Sequence, residues 1–378
     1  MSILSIISKQ FPAKNDLHHN RKYQRTVLSR PSQYRDIYYI IFDRYADRHT
    51  LEQVYNFDNS SFYEELQKKG FYIADKSKSN YPRTSLSLAS SLNMSYLSSI
   101  SKKYGKTSKN YRPIAHMMED YQVWRSLRSI GYTFVHLGSW YQYTNRNRFA
   151  DINLHRIMIS EFNMVLLKKT ILYPVSCKLG IFGDAMHHAK ISLNQFEKIK
   201  TIPKISLPTY SFIHFLLPHA PYSFDRNGKI LPDVHDRDPE RKERYIEQLI
   251  FTNKKILETV DSLIIYSEIK PIIILQADEG PFPKRAVHDF LGFDWKQAND
   301  GELRQKTGIL NAYLFPGIND SVFYESITPV NSFRLLFNAY FKAGLSLFPD
   351  TVFIISNEKF PYDYINITDR VINVNKGH

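Results

Sequence analysis

The most apolar stretches of the chain are unbroken runs rather than alternating ones. "DIYYIIFD" at 36–43 and "PIIIL" at 271–275 carry no polar alternation, so each reads as a strand buried on both faces, the habit of central strands in α/β sheets. "YTFVHLG" at 132–138, "SFIHFLLPHAP" at 211–221 and "ILNAYLF" at 309–315 read as further strands, and "FYIA" at 71–74 as a short one. Between them the period changes to that of helices. "SSFYEELQKKG" at 60–70 offers Ser60 or Ser61 as a cap and closes on Lys68, Lys69 and Gly70. Pro82 disfavours helix just before it, while Leu86, Leu88, Ala89 and Leu92 give a buried face from Thr84 onward. Residues 240–266 carry a stripe from Ile246 to Ile264 that runs directly into the strand at 271–275. At 328–341, Thr328 stands as N-cap with Pro329 in the first turn. Strands alternating with helices predict an α/β fold, a largely parallel central sheet with helices on both faces. Residues 1–35 are polar, basic and weakly periodic and read as a lead-in or linker; residues 36–378 read as a single domain.

Composition narrows the partners. A chain of 378 residues, 43% of them hydrophobic, can bury a sizeable core. The net charge of +13 suits nucleic acid, an anionic membrane surface or a phosphorylated substrate. Its excess lies in short clusters such as Lys102–Lys103 and Lys254–Lys255, with no aromatic-interleaved nucleic-acid motif. These are read as solvated faces with a bias towards anionic partners, and no nucleic acid is expected. Cys177 is the only cysteine, which excludes an intramolecular disulfide and a multi-cysteine zinc site. No stretch approaches the ~20 apolar residues of a membrane span, and "MSILSIISKQF" lacks the basic region and cleavage site of a signal peptide.

Two of the predicted strands end in acids, Asp43 and the pair Asp278–Glu279, the latter followed by Gly280 and Pro281. Parallel strands would bring those ends to one edge of the sheet, where open α/β sheets place their ligands. Oxygen and nitrogen donors gathered there could hold a divalent cation. Thr84 at a helix start would lie among free backbone N–H groups suited to a phosphate or sulfate. Its hydroxyl is a weak nucleophile unless a metal activates it. His219, in "PHAPY", could bind a substrate oxygen or protonate a leaving group. Taken singly, each residue has a plain alternative: a solvated loop acid, an ordinary cap, a polar loop histidine.

Together, "DIYYIIFDRYA", "GFYIADKSKSNYPRTSLSLASSLNMSYL", "FLLPHAPYSFDRNGK", "IIILQADEGP" and "ITPVNSFRLLFNAYF" resemble the sulfatase-like branch of the alkaline phosphatase superfamily. The likeness is to bacterial envelope proteins related to lipoteichoic acid synthase and the phosphoethanolamine transferases, and it covers roughly residues 36–345. It implies Asp43 as a metal ligand, Thr84 as nucleophile and ligand, and His219 as a contact to the transferred group. Asp278 and Glu279 fall where the family's Asp-His pair supplies two further ligands. Glutamate in place of histidine makes the site harder and more negative, which favours manganese, with magnesium or calcium as alternatives to it.

The resemblance therefore implies a metal-dependent phosphoester transferase or hydrolase working through Thr84 on an anionic envelope lipid or glycan. A membrane surface is a further candidate partner. The competing reading is a degenerate, non-catalytic scaffold, motivated by Glu279. A formylglycine sulfatase is not expected, since "SCKLG" around Cys177 and "NYPRTS" lack the required Cys/Ser-x-Pro-x-Arg pattern. Arg83, Asn80 and Arg146 are candidate anion contacts. Relatives are anchored in the membrane and face outward, whereas this sequence shows no spanning segment.

Overall fold

A computed structural model describes residues 26–154, 166, 169–170, 184–231 and 237–372. Cys177 and residues 1–25 of the lead-in lie outside the described residues. Seven described strands form one sheet: β1 (Ile37–Phe42), β2 (Tyr72–Ile73), β3 (Thr133–Leu137), β4 (Ile152–Asn153), β5 (Thr209–Phe215), β6 (Ile272–Gln276) and β7 (Asn311–Leu314). Their spatial order is β2-β7-β6-β1-β5-β3-β4. The five strands from β6 to β4 pair in parallel, whereas β7 and β2 run antiparallel at one edge. A separate hairpin pairs β8 (Phe353–Ile355) with β9 (Tyr364–Asn366) near the end of the described chain.

Central β1 shows why an unbroken apolar run was needed. Ile37, Tyr39 and Ile41 face one hydrophobic layer, and Tyr38, Ile40 and Phe42 face the other. The first layer is filled by helices α1 (Thr84–Leu92) and α5 (Pro329–Phe341), the second by α2 (Asp184–Ile199) and α3 (Arg241–Tyr266). A fifth helix, α4 (Asp300–Thr307), precedes β7 and is closed at its start by a reciprocal Asn299–Glu302 capping box. The expected strands and helices are all present. Helix α5 has Thr328 at its N-cap position, but the Thr328 hydroxyl donates to Asp350. Asn80 performs the capping instead, accepting from the Val330 amide at 2.8 Å and donating to the Thr351 carbonyl. Its side chain is thereby spent within the fold.

Register sets the site. Ile41 lies opposite His214 on β5 and Gln276 on β6, and the Asp43 amide donates to the Phe215 carbonyl at 3.0 Å. Residues just beyond these strands must emerge at one edge. Among the described residues, no helix is long and apolar enough to cross a membrane.

Candidate active site

Asp43 leaves β1 and Asp278 leaves β6, both buried, and their carboxylates meet the imidazole of His214 from β5. One donor atom from each lies within 4.8 Å of the others. Asp43 Oδ1, Asp278 Oδ2 and His214 Nε2 are buried without hydrogen-bond partners. Orphaned buried acceptors are costly, and three converging at one point is what a cation would relieve. Burial and the neighbouring Asp278 push the Asp43 carboxyl well above its usual range. Burial and then Glu279 push Asp278 up to about 7. His214 is driven down to about 3 by burial and then His136, so its imidazole is neutral at physiological pH. Its Nδ1 lies 2.8 Å from Thr144 Oγ1. When Nδ1 donates there, the Nε2 lone pair is free to bind a cation, the outer hydrogen bond fixing the tautomer.

Thr84 opens α1, with Arg83 in the extended N-cap position. Pro82 forces the chain out of helix before it, so the first turn begins abruptly at the cleft. The Thr84 hydroxyl is within hydrogen-bonding reach of Asp278 and holds that carboxyl's pKa down. Buried Ser85, Ser87, Ser90 and Ser91 let α1 lie close to its neighbours, a use of small side chains that no hydrophobic count reveals.

Glu279 stands beside this group. Its Oε1 is 2.9 Å from Lys306 Nζ and 3.3 Å from Arg44 Nε, while Oε2 has no partner. Lys306 is fully buried and lies over the Phe282 ring at 3.5 Å; burial lowers its pKa. Arg44 adopts φ 58°, the left-handed region, and places its guanidinium 4.5 Å over the same ring. Such a conformation is uncommon outside glycine and clusters at functional sites. Gly280 follows because a Cβ there would meet the Gln305 carbonyl at 2.2 Å.

Above these residues opens a cleft of ≈ 350 Å³, lined among others by Arg44, Arg83, Thr84, His219 and Glu279. Arg83 pairs with Glu358, which the C-terminal segment between β8 and β9 brings in at 2.5 Å. His219 lies on a loop whose carbonyls at Pro218 and His219 accept from Gln248 of α3 at 3.2 and 2.9 Å.

No protein-family model matches the sequence, and neither does any curated protein. Solved structures do match the fold. The C-terminal periplasmic domain of EcEptC from Escherichia coli superposes with a TM-score of 0.54 at 12% identity, covering 93% of this chain and 100% of that one; the same domain is known in complex with Zn. The C-terminal periplasmic domain of the phosphoethanolamine transferase EptC from Campylobacter jejuni gives 0.51 at 12% identity, over 90% and 97% of the two chains. A 4S-sulf protein of a Bacteroides thetaiotaomicron locus for glycosaminoglycan metabolism gives 0.54 at 12% identity, over 88% and 84%. The chain shares its α/β fold with these proteins.

Within this fold Asp43, Thr84, His219 and Glu279 line one cleft, and Asp278 lies beside Asp43 and Thr84. Two carboxylates and an imidazole form a donor group of the kind that holds a divalent cation. Sequence reading passed over His214, Lys306 and Glu358. His214 sits inside "SFIHFLL", where a lone histidine in a buried strand reads as core. Its one signal was a polar residue near the C-terminal end of a central strand. Arg146, a candidate anion contact from sequence, is not among the residues that line the cleft.

Proposed function

We propose that the protein is a divalent-metal-dependent phosphoester transferase or hydrolase with Thr84 as its nucleophile. The observation that carries this reading is the convergence of three partnerless buried donors, from Asp43, His214 and Asp278, beside a threonine at a helix N-terminus. Those three residues would hold the cation, with Glu279 as counter-charge to Lys306 and Arg44. A divalent ion bound there would lower the pKa of the Thr84 hydroxyl and offset the charge of the phosphoryl oxygens.

The residues then divide the work. Thr84 releases its proton to water in the open cleft, and its Oγ1 forms a bond to phosphorus as the bond to the leaving alcohol breaks. His219, at the cleft wall, protonates the departing oxygen. The free N–H groups of the first turn of α1 and the Arg44 and Arg83 guanidiniums bind the equatorial oxygens. In the second half, an acceptor hydroxyl or water gives its proton to His219 and attacks phosphorus as the bond to Thr84 Oγ1 breaks, and the Thr84 hydroxyl is restored by a proton from water. The structural relatives named phosphoethanolamine transferase support an envelope phosphoester as substrate. Manganese was expected because Glu279 was counted as a ligand; with His214 in the donor set, zinc joins manganese as a candidate.

Turnover of aryl phosphodiesters, measured metal-free and with manganese, zinc, magnesium or calcium, tests the reading. Thr84→Ala is expected to lose at least about two orders of magnitude in kcat while retaining bound metal. His214→Gln is expected to lose the metal by elemental analysis. Full activity in Thr84→Ala, or metal retained without His214, would contradict it.

A further inference from the structure

The cleft carries more than the reacting group needs. Beyond the cation site it is lined by Tyr111, Trp140, Tyr141, Tyr143, Phe282 and Phe290. Such a density of rings could serve two chemistries: a cage for a cationic headgroup, or platforms for the apolar faces of a sugar ring. The two differ in what the cleft's own charges must tolerate.

Several of these rings already carry cations from the protein. Arg83 lies over Tyr111 and Phe290, and Arg44 and Lys306 lie over Phe282. The carboxylates are engaged as well. Glu358 faces Arg83, and the charge of Glu279 is shared between Lys306 and Arg44, although one of its oxygens has no partner. Three cations thus stand against two carboxylates, and a divalent ion would balance Asp43 and Asp278. The remaining charge is positive. A cationic headgroup would meet guanidiniums rather than a counter-ion.

Among the described residues no cation lies over the rings of Trp140, Tyr141 and Tyr143, all in the loop after β3. That loop is built tightly. A Cβ on Gly138 would meet the Thr144 carbonyl at 1.8 Å, so only glycine fits. Ser139 Oγ lies 3.0 Å from Thr144 Oγ1 and accepts from the Tyr141 amide at 3.1 Å. Trp140 is backed by the His188 ring, stacked at 4.3 Å, and Tyr141 meets Tyr143 edge-on at 5.3 Å. Gln142, between the two tyrosines, also lines the cleft. Rigid rings interleaved with an amide and phenolic hydroxyls suit a neutral polyhydroxylated ring.

We propose that the group esterified to, or accepting, the phosphoryl moiety is a sugar seated on Trp140, Tyr141 and Tyr143, and that ethanolamine- and choline-type headgroups are disfavoured. This rests on the phosphoester reading above, and the test separates the two. Glucose 1-phosphate, phosphocholine, phosphoethanolamine and inorganic phosphate are titrated into the intact metal-loaded chain by calorimetry, without any turnover. The sugar phosphate is expected to bind about tenfold more tightly than either amine-bearing monoester. Tyr143→Ala should remove most of that advantage and bring the sugar phosphate close to inorganic phosphate in affinity, and Tyr143→Phe, which keeps the ring, should restore it. Equal binding of the esters, preference for the amine headgroups, or an advantage that survives Tyr143→Ala in folded protein overturns the proposal. Absence of phosphodiester turnover alongside preferential sugar-phosphate binding would instead refute the reaction and leave this site standing.

Discussion

A lysine ammonium buried as fully as that of Lys306 persists only with a counter-charge beside it, and the nearest is Glu279 at 2.9 Å. Removing one partner of a buried pair costs about 3–5 kcal/mol, chiefly because the other charge is left behind. Glu279→Gln should therefore lower unfolding stability by roughly that amount in urea titrations, while the metal content of the folded protein stays unchanged. The double variant Glu279→Gln with Lys306→Met should recover most of the loss. Metal lost from folded Glu279→Gln would show instead that its free oxygen is a ligand. The sequence displayed Asp278–Glu279 as an adjacent pair and so presented both as ligands. The pairing of Glu279 with Lys306, 27 positions away, is a contact that no local pattern could reveal. Asp43 directly follows an apolar run and Asp278 follows one after Gln276 and Ala277, so both were visible as strand-end acids. His214 was not, because it stands inside one.

At the scale of elements, the loop following β3 connects the rings of the cleft to the imidazole of His214 through Thr144. Gly138→Ala would force the backbone apart where the Thr144 carbonyl now lies. Overpacking of this kind costs about 1–3 kcal/mol. The expected outcome is a lower unfolding midpoint together with weaker metal binding, since the Thr144 hydroxyl could no longer hold His214 in one tautomer; metal affinity is measured by competition with a chromogenic chelator. A fall in stability with metal affinity intact would mean that Thr144 does not orient the ligand. The strands at 36–43 and 271–275 were readable because both faces are buried. The direction of β7 was not, since an antiparallel strand and a parallel one share the same composition. Asn80 reads as a loop residue in "NYPRTS" and only tertiary contact turns it into the cap of α5.

Across the whole molecule, the strand order brings β1, β5 and β6 side by side, so donors drawn from positions 43, 214 and 278 meet at one edge. The succession of strands and helices along the chain was legible from the alternation of the two periods. The C-terminal hairpin was not: β8 and β9 are three residues each, too short to show a period. Yet the turn between them delivers Glu358 to Arg83.

The connection through Thr144 has a thermodynamic corollary. In the proposed site one loop both orients His214 and forms the floor for a bound ring, so ordering it from either side would lower the entropic cost of ordering it from the other. Cation and sugar phosphate are then heterotropic ligands, and linkage requires each to tighten the other by an identical factor. Dissociation constants for zinc or manganese measured with and without saturating glucose 1-phosphate should therefore differ by the same ratio as those for the sugar phosphate measured with and without the ion. In Thr144→Val that ratio should fall towards unity, making the loop the wire by which the cleft senses whether its metal is in place.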